Sequence, residues 1–150
     1  MCPQWERKDV TASVWCKAIV LWVLILLLAI ANGILREAVL IPMLGRFAGL
    51  IASGLLLSFL IFLVAAFAAP WYGRLDARIY WCIGAVWLVL TVIFEFGFGR
   101  LVQHKSWQEL VEAYTFSGGN IWPAVLAMVL ASPWLAARLR AHENPGGGTT

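Results

Sequence analysis

Charge is what this sequence has least of. Only 13% of its residues are charged, about half the roughly 25% of an average soluble domain, and apart from the adjacent Arg7 and Lys8 its Lys and Arg residues stand singly, with no basic block. The first observation argues against a water-soluble globule, the second against a nucleic-acid partner. Cysteine is scarce as well: Cys2, Cys16 and Cys82 show no Cys-x-x-Cys spacing and join no Cys/His cluster, so no metal site is expected. Also missing are an HExxH motif, a phosphate loop, a nucleophile paired with a base and a Cys-x-x-Cys-His haem signature. No catalytic residue, metal ligand or cofactor is therefore assigned.

Hydrocarbon is what the chain has instead, with 62% of residues hydrophobic. Four apolar runs, at about 18–35, 48–69, 79–96 and 121–139, each approach the ~20 residues that a helix needs to cross a bilayer core of about 30 Å. Backbone groups in lipid must be satisfied internally, and runs of this length without period-2 alternation achieve that as helices. The expectation is an all-α polytopic membrane protein, one domain over 1–150, with four transmembrane helices in an up-down bundle. Ala29-Ile30-Ala31 has the small-x-small form of a signal-peptidase site; the first run is read as an uncleaved helix all the same.

The joints are legible too. Ile41-Pro42-Met43-Leu44-Gly45 makes a short first connection, and Pro70-Trp71-Tyr72-Gly73 closes the second helix. Ser106-Trp107-Gln108-Glu109 has the form of a capping box, which predicts a short amphipathic helix over 106–115 lying at the membrane interface between helices three and four. Asn120 is placed to cap the fourth helix, Pro123 sits in its first turn, and Ser132-Pro133 predicts a kink. Residues 143–150 read as a flexible tail.

With four spans, Arg7, Lys8, Lys17, Arg74, Arg78, Arg138 and Arg140 share one face, and Arg36, Arg46, Arg100 and Lys105 the other. The richer face is the cytoplasmic one by the positive-inside rule, which places both termini in the cytoplasm, where thiols stay reduced. Of the nine tryptophans, seven fall near helix ends as an aromatic belt requires; Trp22 and Trp87 lie deeper.

Two residue sets stand out. Gly45, Gly49 and Ser53 recur every four residues, a spacing that serves either packing inside the bundle or self-association. The second set converges on the outward end: Asn32, Arg36, Glu37, Glu95, Arg100, His104 and Asn120. A carboxylate at membrane depth costs about 2.5–3.5 kcal/mol at a helix centre and less near its ends, so Glu95 requires relief. Layer position predicts ion pairs from Arg36 to Glu95 and from Glu37 to Arg100. Such pairs would either clamp helices one and three, or form with Gly97 and Gly99 a cup for an anionic headgroup or small polar ligand.

Asn32-Gly33-Ile34-Leu35-Arg36-Glu37, Phe94-Glu95-Phe96-Gly97-Phe98-Gly99-Arg100, Ser106-Trp107 through Tyr114, and Asn120-Ile121-Trp122-Pro123 together resemble a group of small, uncharacterised bacterial four-span membrane proteins. The resemblance covers about 18–140 and implies a bacterial inner-membrane location; it supplies no activity. The functional expectation is a non-enzymatic accessory or binding subunit. Its expected partners are membrane lipid and either a larger membrane complex or further copies of itself. The alternative is an oligomeric small transporter or channel with Glu95 and Arg36 at the mouth of its pathway.

Overall fold

The computed structural model describes residues 4–73, 75–104, 106–112 and 114–143. Every regular element among them is helical: α1 (Gln4–Leu35), a π-helical turn (Arg36–Leu40), α2 (Ile41–Tyr72), α3 (Ala77–Leu101), α4 (Trp107–Glu112), a 3-10 turn (Ser117–Gly119) and α5 (Trp122–Glu143). Three stretches are long and apolar enough to cross a membrane: Ala12–Tyr72, Ala77–Leu101 and Trp122–His142. Arg74 and Lys105 of the charge count lie outside the described residues, as does the expected tail beyond Glu143.

The first of these stretches is not one rod. Its 61 residues would reach about 90 Å as a straight helix, yet Lys17 Nζ donates to the Trp71 carbonyl at 3.0 Å and Asn32 Nδ2 to the Ser53 carbonyl at 3.2 Å. Both bonds close only if α1 and α2 run antiparallel. The loosening begins in the π turn, where the Ile41 N–H donates to Arg36, five residues back, just before Pro42, which has no N–H to extend the ladder. The reversal falls at Gly45, with φ 79° and ψ 164°, a region open essentially to glycine alone. No atom lies within 4 Å of where a Gly45 Cβ would stand, so Gly45→Ala isolates backbone strain. It is expected to destabilise the fold by about 1–3 kcal/mol, seen as a lower unfolding midpoint in detergent. An unchanged midpoint would mean that the fold-back does not need this glycine.

Small residues make the close approaches that lipid cannot drive by hydrophobicity. The buried face of α2 repeats every four residues through Gly49, Ser53, Leu57, Ile61, Ala65 and Ala69. Facing it are Ala18, Leu21 and Ile25 of α1 and Val125 and Val129 of α5, all in one core. α5 packs chiefly against α2 and α3; at Gly84 of α3 a Cβ would collide with the Leu130 carbonyl oxygen. α5 also continues through the Ser132-Pro133 step as one element. Pro133 cannot donate to the Val129 carbonyl, and the fully buried Ser132 hydroxyl donates there instead, at 3.4 Å.

α1 and α3 are tied by the two deep tryptophans. Trp22 Nε1 donates to Thr91 Oγ1 at 3.2 Å, and Trp87 Nε1, on a side chain with no exposure, donates to the Ala18 carbonyl at 2.8 Å. The two bonds advance four residues along each helix, so α1 and α3 run parallel, with Glu95 level with Leu26.

Candidate functional site

Glu95 is half-buried at the α5 end of α3, and its Oε2 accepts two hydrogen bonds: from the Tyr114 hydroxyl at 2.7 Å and from Trp122 Nε1 at 2.6 Å. One donor follows α4 in the chain and the other opens α5. A single carboxyl group thus fastens the connection between α3 and α5 back onto the bundle.

The surrounding residues complete the attachment. α4 starts with a formed capping box: the Ser106 N–H donates to Glu109 Oε2 at 2.7 Å, and the Glu109 N–H donates to Ser106 Oγ at 3.2 Å. Leu110, the buried residue of α4, sits on Gly99, where a Cβ would lie 2.5 Å from Leu110 Cδ2. The Phe96 ring lies 6.1 Å from Trp107 and 5.8 Å from Tyr114, and the Arg100 guanidinium stands 5.8 Å over the Trp107 ring. Residues 95, 96, 99 and 100 therefore present, in order, an acceptor, a ring, a clearance and a cation to the segment that follows α3.

Asn120 contributes as a cap, its Oδ1 accepting the Trp122 N–H at 3.0 Å. On the other side of the α5 start, Ile121 rests on Gly54, next to Ser53. There Asn32, 5% exposed, donates through Nδ2 to Ser53 Oγ at 2.8 Å, and its Oδ1 has no partner among the described residues. Asn32, Glu95 and Asn120 thus gather around the beginning of α5. A Cβ on Gly49 would lie 3.1 Å from the Ile41 backbone and Ser53 meets Asn32, so both serve the seam within the chain. Gly45, being non-helical, is not on their face.

Among the described residues, the expected pairs from Arg36 to Glu95 and from Glu37 to Arg100 are not formed. Arg36 Nε meets Glu37 Oε1 at 3.0 Å on an open part of the surface. Register is the reason. With Glu95 level with Leu26, Arg36 lies ten residues further along α1, about 15 Å at the helical rise. His104 is exposed past the end of α3, with a φ of 53°, and does not join the group. Among the described residues no cluster of three His, Cys, Asp or Glu is arranged to hold a metal.

Tyr114 lies outside the candidate spans, and its phenol is pushed well above the ordinary value of 10.0, first by burial and then by its bond to Glu95 and the charge there; the Trp122 contact opposes this. A raised folded-state pKa favours the protonated form, so the stabilisation is complete below pH 10 and is lost as pH rises through the folded value. Hydrogen exchange over 106–116 is expected to accelerate above pH 10 beyond its intrinsic rate, and Tyr114→Phe to abolish that excess. An equal excess in both proteins would mean that another group titrates.

No protein-family model, curated protein or solved structure matches the chain. The residues that the sequence does not single out are Tyr114, within the expected amphipathic helix over 106–115, and Trp122, near a helix end where the aromatic belt accounts for it. The signal available is that a buried tyrosine or tryptophan needs a partner for its polar hydrogen, and a carboxylate accepts from either as readily as from an arginine.

Proposed function

We propose that this chain is a non-enzymatic membrane protein, an accessory or lipid-binding subunit that uses its Glu95 end as a fixed docking platform. In this reading both arms of the folded-back Ala12–Tyr72 stretch cross the membrane, giving four crossings with α3 and α5. In the same reading the termini are cytoplasmic, α4 lies in the outer interface, and the membrane is a bacterial inner membrane, as the resemblance implies.

The observation that carries the proposal is the attachment of the 106–116 segment by Glu95. The bonds to Tyr114 and Trp122 occupy the carboxyl group in holding a surface, and that surface keeps Trp107, Val111 and Phe116 between 54% and 60% exposed. Ordered apolar side chains beside exposed Gln108, Glu112 and Arg100 suit headgroups or the flank of a larger membrane protein. A transport pathway has less support. Thr91 is bonded to Trp22, Ser132 to Val129, and the interior between them is filled by Ala18, Ile83 and Trp87, none with any exposure.

Photocrosslinking in native membranes tests the proposal, with a benzophenone side chain at exposed Gln108 and a control at Phe59, on the outside of α2. The expected result is a discrete polypeptide adduct, or anionic-lipid adducts enriched over the control. Identical adducts from both positions would overturn it.

A further inference from the structure

A second feature lies toward the other end of the molecule, away from the Tyr114 attachment. Between α1 and α2 runs an open groove of about 250 Å³, walled by Leu21, Leu24 and Leu28 on one side and by residues including Leu60 and Val64 on the other, with Trp71 at its end. Lys17, Leu21, Leu24 and Leu28 recur at three- and four-residue spacing on one face of α1. The groove therefore runs from a cation into hydrocarbon.

We propose that this groove binds one acyl chain of an anionic phospholipid, with Lys17 holding the phosphate. Its shape fits a chain: Leu21 to Leu28 covers about 10 Å of helix, open on the lipid side and apolar along its length. Its walls suit another helix poorly, because close helix contacts call for repeating small residues: Ala68 is the one small residue in the lining, and the repeating ones of α2 at 49, 53, 65 and 69 all face the bundle interior.

The charge at the groove end is also fixed in place. Lys17 Nζ donates to the Trp71 carbonyl at 3.0 Å and stands 5.7 Å over the Trp71 ring. That uses one of the three N–H donors of an ammonium, and among the described residues no carboxylate forms a salt bridge with Lys17. The two remaining donors are held beside an interfacial tryptophan, at the depth where lipid phosphates lie.

The test reconstitutes the full chain in nanodiscs of equal phosphatidylglycerol and phosphatidylcholine, transfers it to mild detergent and counts retained lipids by native mass spectrometry. Wild type is expected to retain phosphatidylglycerol over phosphatidylcholine by about five-fold, as one membrane-surface lysine predicts. Lys17→Gln should remove the preference and Lys17→Arg keep it. Leu24→Trp, at a position 44% exposed and so tolerant of bulk, should fill the groove and lower retention of both lipids. Arg46→Gln, an exposed cation near the start of α2 and away from both sites, should leave the preference unchanged. Equal retention of the two lipids by wild type, an unaltered preference in Lys17→Gln, or a bound polypeptide displaced by Leu24→Trp would each overturn the proposal.

Discussion

Replacing Gly84 with valine is expected to separate α3 from α5 and abolish the monodisperse protein in mild detergent. A Cβ at this position would collide with the Leu130 carbonyl oxygen and lie 2.9 Å from the Leu130 carbonyl carbon and 3.2 Å from its Cα. These are backbone atoms of a buried helix, which no rotamer change can move aside. Overpacking of side chains usually costs about 1–3 kcal/mol; with backbone on both sides, even Gly84→Ala should reach the top of that range or exceed it. The stacked pair Trp81–Trp134, with centroids 5.5 Å apart, lies one turn away, so its near-ultraviolet circular dichroism should weaken with the helix contact. Gly97 is the internal control. Nothing lies within 4 Å of a Cβ there, and alanine should be neutral or stabilise α3 by up to about 1 kcal/mol through helix propensity. Equal midpoints for Gly84→Ala and Gly97→Ala would contradict the packing described for α3 and α5.

Glu95→Leu is expected to release the 106–116 segment while leaving the α1–α2 hairpin in place. The substitution strands the Tyr114 hydroxyl and Trp122 Nε1, both part-buried, and each orphaned donor costs about 1–3 kcal/mol where water cannot replace the acceptor. Glu95→Gln keeps one oxygen that can accept from both donors but loses the carboxylate charge that strengthens those bonds, so it should fall between wild type and leucine. The loss should be local, because the bonds Trp87–Ala18 and Asn32–Ser53 do not involve Glu95. Hydrogen exchange should therefore accelerate across 106–116 and change little across the hairpin. The pair Glu95→Gln and Tyr114→Phe should be non-additive, as expected for two groups sharing one bond. Uniform acceleration through all helices would make Glu95 a general stability residue instead of an anchor.

Much of this could be read from the sequence because it depends on local chemistry. The capping box at Ser106 and Glu109, the Asn120 cap, Pro123 at the start of α5 and the every-fourth small residues of α2 are set by neighbours a turn away. Register was not legible. The ends of apolar runs define layers only to within a few turns, and that uncertainty was enough to pair Arg36 with Glu95. The bonds from Trp22 and Trp87 fix the offset, and they depend on how deeply two indoles insert between helices, which periodicity does not encode. Tyr114 and Trp122 were hidden for a related reason: a tryptophan or tyrosine near a helix end suits the aromatic belt so well that its N–H or O–H draws no notice. Gly45 belongs by sequence both to the first connection, Ile41 to Gly45, and to the every-fourth stripe, and its backbone angles decide for the connection and separate it from Gly49 and Ser53.

The most direct test of the central proposal, four crossings with the Glu95 platform outward, is side-specific labelling. Single cysteines at Arg46, Asp76, Gln108 and His142, with Cys2, Cys16 and Cys82 changed to serine, would be exposed to an impermeant maleimide in right-side-out and inverted membrane vesicles. The account predicts that positions 46 and 108 react from the outer side only and positions 76 and 142 from the cytoplasmic side only. Labelling of positions 46 and 76 from the same side would contradict it.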